Sequence, residues 1–229
     1  MEGLTHHIMD KHPMEYNFLK TRAWEGNSHI GNRPIQATYY YDWACSLSFD
    51  GSKARHVCEI GMNGGHSALI FLAALTQNDH TKRDANVTMF DFFKYTYSPA
   101  AQKYVETLYP GRFSIYKGDS HSTLPKWIAE KGTENLCDIF SVDGDHSFQG
   151  AKTDIQNAAI ATRKGGKIIL DDMSPVGQTR RAFEEALTAN IIEAPRCVEN
   201  VETVTGHIDR IDETNVRKVV LNWCTATVV

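Results

Sequence analysis

The sequence predicts an α/β fold: a three-layer, doubly wound, mostly parallel seven-stranded sheet with an antiparallel edge strand. Three observations predict it. Beyond residue 53, short β-rich runs alternate with helical stretches, the pattern of parallel strands joined by helices that cover both faces of a sheet. The first four strand-like runs end in acids or glycines, and the region beyond strand carboxyl ends is where open α/β sheets bind ligands. Two late β-like stretches, around 192–199 and 216–223, suit an antiparallel pair at the sheet edge.

The elements follow in order. ARHVCEI (54–60) reads as the first strand and HSALIFLAALTQ (66–77) as a helix with apolar positions at helical spacing. NVTMFDFF (86–93) gives a second strand, ending near Asp91. In SPAAQKYVETLY (98–109), Ser98-Pro99 supplies an N-cap and a first-turn proline. RFSIYKGDS (112–120) is a third strand, and STLPKWIAEKG (122–132) is a helix stopped by glycine. LCDIFSVDGDHS (136–147) is a buried fourth strand ending in a polar cluster. FQGAKTDIQNAAIATRKGG (148–166) is expected to be helical up to its glycine pair, followed by KIILDDM (167–173) as a short apolar fifth strand. TRRAFEEALTA (179–189) is helical. Residues 1–50 lack the alternation, and 25–43 mixes Gly, Pro and aromatics like a loop followed by a helix. A lid and a helix packed on the sheet are both open readings of that segment.

At 229 residues the chain suits one α/β domain, 51–229, with an appended N-terminal helical or lid segment, 1–50. Hydrophobic residues make up 41% and charged residues 23%, enough for a core that needs neither disulfides nor a structural metal. The net charge of −4 and pI near 6.2 argue against a nucleic-acid partner, which calls for concentrated Lys and Arg. Five scattered cysteines without CxxC spacing indicate neither a disulfide framework nor a zinc site, so a reducing compartment fits. No signal-like or membrane-length apolar run occurs. A cytoplasmic location without membrane association is therefore expected. The late β stretches or the N-terminal segment are candidates for a homodimer contact.

The strand ends carry the chemistry. After the first strand comes Glu59-Ile60-Gly61-Met62-Asn63-Gly64-Gly65. Glycines there permit tight turning and close backbone approach. The dinucleotide fingerprint G-x-G-x-x-G uses similar physics but a different spacing. Glu59 in the last turn of the strand suits a cationic ligand, since a carboxylate attracts a sulfonium or ammonium and repels a pyrophosphate. Asp91 ends the second strand and Gly118-Asp119-Ser120 the third. Asp143-Gly144-Asp145-His146 and Asp171-Asp172 then place four carboxylates at two adjacent strand ends. Such a cluster is electrostatically costly unless a divalent cation compensates it, and oxygen ligands favour Mg²⁺, with Mn²⁺ or Ca²⁺ as substitutes.

The E-I-G-M-N-G-G stretch resembles motif I of class I S-adenosylmethionine-dependent methyltransferases, and the resemblance implies their seven-stranded fold. It implies S-adenosylmethionine as cofactor, held by Glu59, Gly61, Asn63, Gly65 and Ser67 around the glycine turn. Asp91 would serve the ribose, Asp119 and Ser120 the adenine side, and Asp143 the reacting end. The acidic end resembles the metal-dependent O-methyltransferases, in particular the branch acting on macrolide sugars. That likeness covers roughly 54–175. It implies Asp143, Asp171 and Asp172 as metal ligands, with His146 and Asp143 catalytic and His146 the general base. The branch commonly has Glu-Asp where this chain has Asp171-Asp172, which leaves the reach of Asp171 open.

The chemistry asks for these groups. An alcohol or phenol is a poor nucleophile until its proton leaves, metal coordination lowers its pKa, and a neutral histidine takes the proton. The expected function is therefore metal-assisted O-methylation of a hydroxylated small molecule. A non-catalytic cofactor-binding module and a same-fold enzyme running another metal-assisted reaction, such as hydroxylation, are the alternatives. For His146 alone the other reading is a surface residue capping the next helix. Asp145 reads as a supporting or exposed residue. Tyr39, Tyr40, Tyr41 and Trp43 either roof a substrate or belong to the core. His6, His7, His12 and His29 lack ligand spacing and read as solvent-facing.

Overall fold

The computed structural model describes residues 30, 34–46, 48–49, 52–53, 55–78, 85–132, 136–205 and 216–229. In chain order the elements are α1 (Pro34–Ser46), β1 (Ser48–Phe49), β2 (Ser52–Lys53), β3 (His56–Ile60), α2 (His66–Asn78), β4 (Asn86–Asp91), α3 (Ser98–Leu108) and β5 (Phe113–Lys117). They continue with α4 (Ser120–Lys131), β6 (Cys137–Val142), α5 (Phe148–Ala161), β7 (Thr162–Leu170), α6 (Gln178–Thr188), β8 (Ile192–Thr205) and β9 (Val216–Val228). Strands β1 and β2 form a small hairpin. The other seven make one sheet in the order β5-β4-β3-β6-β7-β9-β8. Pairings from β5 to β7 are parallel, while β9 runs antiparallel to both β7 and the outermost β8. The late β pair thus sits at the sheet edge, with the antiparallel strand one place in from the end.

Alternation along the strands builds two cores. Val57, Val87, Met89, Ile139 and Ile169 face a layer that includes Tyr40, Phe71, Leu72 and Val105. Cys58, Phe90, Phe140, Ile168 and Leu170 face Trp127, Ile155 and Phe183 on the other side. Because successive strand residues point to opposite faces, strands covered on both sides must be apolar throughout. In β6 every residue is buried. The covering helices are amphipathic: α6 buries Thr179, Ala182, Phe183 and Ala186, an i, i+3, i+4, i+7 stripe. Ser147 caps α5 by accepting the Gly150 N–H at 3.1 Å.

Helix α1 belongs to the first core. Tyr40 stacks on Phe71 at 5.6 Å between centroids, the Tyr41 hydroxyl donates to Gln77, and Cys45 Sγ donates to the Ala74 carbonyl. Tyr40, Tyr41 and Ala44 are all buried, whereas Tyr39 is exposed and meets Trp223 edge-on. The described part of the N-terminal segment is therefore packed into the domain. His6, His7, His12 and His29 lie outside the described residues.

Two expectations are corrected. The helix expected over 148–166 ends at Ala161, because Thr162 turns to extended backbone (φ −105°, ψ 139°) and pairs with Cys137. The Gly165-Gly166 pair lies within β7 rather than capping a helix. The cysteines, expected to be unpaired, form Cys58–Cys137 and Cys197–Cys224 bonds. Sheet pairing is the reason: β3 and β6 are neighbours, and Cys197 and Cys224 are cross-strand partners in β8 and β9. His56 Nε2 lies 3.5 Å from Cys58 Sγ. His56, Cys58 and Cys137 thus group nitrogen and sulfur donors at the amino ends of these strands, with the two sulfurs bonded to each other. Among the described residues no helix is long and apolar enough to cross a membrane.

Candidate functional site

Strand order reverses between β3 and β6, and a cavity of about 610 Å³ opens beyond their carboxyl ends, the position and size expected of a ligand site in this architecture. Every site residue expected from the sequence borders this cavity except Gly65, which lies in the turn behind it.

The glycine turn is fixed by contact. Gly61 has φ +101°, its N–H donates to the Phe90 carbonyl at 2.9 Å, and a Cβ there would land on the Asp143 carbonyl. Only glycine lets the tips of β3 and β6 run this close. The Asn63 N–H donates to Asp91 Oδ2 at 3.0 Å, and Asn63 Oδ1 accepts from the Tyr97 hydroxyl. Asp91 Oδ1 also accepts the Phe93 N–H at 2.5 Å. The carboxylate expected to serve a ribose therefore also braces the turn. Asp119 caps α4 through the His121 N–H at 3.0 Å, and it too faces the cavity.

Glu59 is 2% exposed and accepts the Ser67 hydroxyl proton. Burial pushes its carboxyl well above the ordinary range; the Ser67 bond opposes this and the charge of Asp143 adds to it. A cationic group arriving in the cavity supplies the charge that stabilises the ionised form.

At the neighbouring strand ends, donor atoms of Asp143, His146 and Asp172 lie within 4.8 Å of one another. His146 Nε2 is 3.1 Å from Asp172 Oδ2 and 3.7 Å from Asp143 Oδ1. The histidine is pushed up to about 9, chiefly by its close approach to the Asp143 carboxylate, with burial opposing and the charge of Asp172 adding. It therefore sits as an imidazolium between two carboxylates at neutral pH. Asp171 is pushed up to about 7, by burial first and then by the charges of Asp143 and Asp172. It lies outside the three-residue group: Oδ2 accepts from Gln36 Nε2 at 2.8 Å and Oδ1 accepts the Asp172 N–H at 2.9 Å. Asp172 itself has φ +54°, a left-handed conformation that aspartate tolerates better than most residues.

The two carboxylates fit a divalent cation. Two ligands at about 2.1 Å from a common ion lie no more than about 4.2 Å apart, so small rotations of the exposed Asp143 and Asp172 side chains bring them around one ion. Carboxylate oxygens suit Mg²⁺ or Mn²⁺, with His146 Nε2 alongside as a proton acceptor.

Two residues that hydrogen-bond to the cavity lining carry no obvious sign in the sequence. Asp154, in α5, is fully buried, accepts the Ser120 hydroxyl at 2.8 Å and the Asp145 N–H at 3.4 Å, and pairs with His121 Nε2 at 3.3 Å. Burial pushes its carboxyl up, with the Ser120 bond opposing. It ties the start of α4 to the loop after β6. The signal is a faint one: a lone acid on the stripe Ala151, Ile155, Ala158 that α5 buries. Gln36, on the buried Gln36-Tyr40-Ala44 face of α1, is the other.

Residues 58–173, half of the chain, match a family model described as a methyltransferase domain. No curated protein matches the sequence. Among solved structures, an O-methyltransferase from Bacillus cereus in complex with SAH superposes with a TM-score of 0.65 at 16% identity, covering 99% of this chain and 97% of that one. A TDP-rhamnose 3′-O-methyltransferase of calicheamicin biosynthesis gives 0.57 at 13%, covering 96% and 90%. A precorrin-6y C5,15-methyltransferase from Geobacter metallireducens gives 0.58 at 10%, covering 84% and 87%. At such identities the likeness to these three is one of fold.

Proposed function

The chain belongs to the methyltransferase-domain family, and on that premise we propose that it transfers the methyl group of S-adenosylmethionine to a hydroxyl oxygen of a small molecule with the help of a divalent cation. The observation that carries this reading is that the buried Glu59 carboxyl and the Asp143, His146, Asp172 group open into one cavity. Two of the three structural neighbours are named as O-methyltransferases, one of them acting on a sugar hydroxyl and the other in complex with SAH.

The residues divide the work. Glu59, held by Ser67, would pair with the α-ammonium of the cofactor's methionine part, and Asp91 would accept from its ribose hydroxyls. Ser120 and Asp119 border the adenine side. Asp143 and Asp172 would hold the cation, with Asp171 behind them. A bound divalent cation supplies Lewis acidity that lowers the pKa of an alcohol. His146 would take the hydroxyl proton at Nε2, which requires a neutral imidazole, so its carboxylate neighbours must have their charge offset. Tyr40 lines the cavity from α1 and is itself buried.

A hydroxylase reading is weaker on chemical grounds. Non-haem iron oxygenases use two histidines and one carboxylate, whereas this group holds one histidine and two carboxylates. The test is calorimetric titration with S-adenosylhomocysteine, followed by incubation of the enzyme, S-adenosylmethionine and Mn²⁺ with hydroxylated sugars and phenols under mass detection. A product heavier by one methylene unit is expected. Absence of S-adenosylhomocysteine binding would refute the proposal.

A further inference from the structure

Gln36 is fully buried in the second half-turn of α1, yet it lies against a strand tip 135 residues away. Its Nε2 donates to Asp171 Oδ2 at 2.8 Å and to the Tyr40 hydroxyl at 3.3 Å. A side-chain amide has two N–H donors, and a buried amide is tolerated only when they are used; these two contacts use them. Asp171 Oδ1 accepts the Asp172 N–H at 2.9 Å. Each Asp171 oxygen therefore already accepts one hydrogen bond, and the donor atoms that converge nearby come from Asp143, His146 and Asp172 and not from Asp171. Helix α1 is anchored independently by the buried Tyr40, Tyr41 and Ala44, so Gln36 reaches Asp171 already positioned. It lies outside the segment that matches the family model, 58–173.

We propose that Gln36 is a positioning residue of the cation site: its amide holds Asp171 as a brace behind the left-handed Asp172, so that Asp172, and not Asp171, is presented to the ion. The proposal rests on the metal-assisted reading above. Its physical content is that a ligand carboxylate on a strained turn binds well only if the turn is fixed beforehand, and partners one layer behind the ligands typically govern affinity by about 10–100-fold. The N-terminal helix is then part of the reaction centre rather than a cover over it.

The test is electron paramagnetic titration of free Mn²⁺ against the full chain, with S-adenosylhomocysteine binding measured in parallel by calorimetry. Gln36→Leu is expected to weaken Mn²⁺ binding about tenfold while S-adenosylhomocysteine affinity stays within about twofold. Gln36→Glu, which keeps the side-chain volume and replaces the donor with an acceptor, is expected to weaken Mn²⁺ at least as much. Asp171→Asn is expected to match Gln36→Leu, the double variant to be no weaker than either single one, and Asp172→Asn to lose the most. The non-additivity marks Gln36 as acting through Asp171, which a general effect on folding would not produce. Gln36 variants that bind Mn²⁺ like the wild type, additive losses, or an Asp171→Asn loss equal to that of Asp172→Asn would each overturn the proposal alone. A wild-type chain that binds S-adenosylhomocysteine but no Mn²⁺ would overturn it together with the metal reading.

Discussion

Replacing Asp154 should unsettle two segments at once. Its carboxylate is fully buried and accepts the Ser120 hydroxyl at 2.8 Å and, more weakly, the Asp145 N–H at 3.4 Å, with His121 Nε2 3.3 Å away. Asp154→Ala strands the buried Ser120 donor and frees the part-buried Asp145 N–H. Each buried donor left without a partner costs about 1–3 kcal/mol, with the longer Asp145 contact at the low end. Removing a carboxylate that burial already disfavours returns part of this, so the net loss is about 2 kcal/mol. For a domain of this size that is a fall in Tm of roughly 4–8 °C. Asp154→Asn keeps the shape and the Ser120 bond but turns an N–H toward the Asp145 N–H, for a loss of about 1 kcal/mol. Ser120 and His121 border the cavity, so S-adenosylhomocysteine affinity should fall with that segment, by roughly 5–10-fold for alanine, an energy of about 1 kcal/mol. Thermal unfolding and calorimetry read the two effects. An alanine variant with wild-type Tm and affinity would refute the idea that Asp154 joins the two segments.

Three further outcomes follow from the same geometry. Glu59→Gln should weaken S-adenosylhomocysteine by about 10–100-fold in calorimetry, the value of one charge-assisted hydrogen bond to its ammonium; an unchanged affinity would remove Glu59 from the cofactor site. Asp143→Ala and Asp172→Ala should each abolish measurable Mn²⁺ binding, whereas Asp145→Ala, whose carboxylate is spent on the Ser147 N–H at 2.8 Å, should leave it within about twofold; equal losses for all three would contradict the assignment. Burial lowers His66 to about 4, so the folded protein resists its protonation, and stability is lost as pH falls from the unfolded value near 6.5 toward 4. The slope is about 1.4 kcal/mol per pH unit, some 3 kcal/mol in all. His66→Gln should remove that part of the acid sensitivity in urea midpoints measured across the window, and parallel curves for variant and wild type would count against it.

How much of this was legible depends on the range of the interaction. The parallel strands and the chemistry at their tips could be read because both are local: an apolar run fixes a buried strand, and the next residues lie at its carboxyl end whatever the rest of the chain does. Glu59, Asp91, Asp143 and Asp172 are expected at the cavity by that logic, and all four border it. The end of α5 was misread because Gly165-Gly166 looks like a helix stop, while the pairing of Thr162 with Cys137, which decides the matter, is not local. The disulfides were missed for the same reason, since 79 and 27 residues separate the bonded cysteines. Gln36 carried no sign of its partner, because nothing in residues 34–46 encodes that they pack beside the tip of β7.

The central claim is that one cavity seats the cationic end of the cofactor beside a divalent ion. Proton NMR of S-adenosylhomocysteine bound to the protein, with Mn²⁺ added in small steps, tests it most directly. The account predicts strong paramagnetic broadening of the protons flanking the sulfur in the wild type and its loss in the Asp143→Ala, Asp172→Ala double variant. Bound S-adenosylhomocysteine whose resonances stay sharp as Mn²⁺ is added would contradict it.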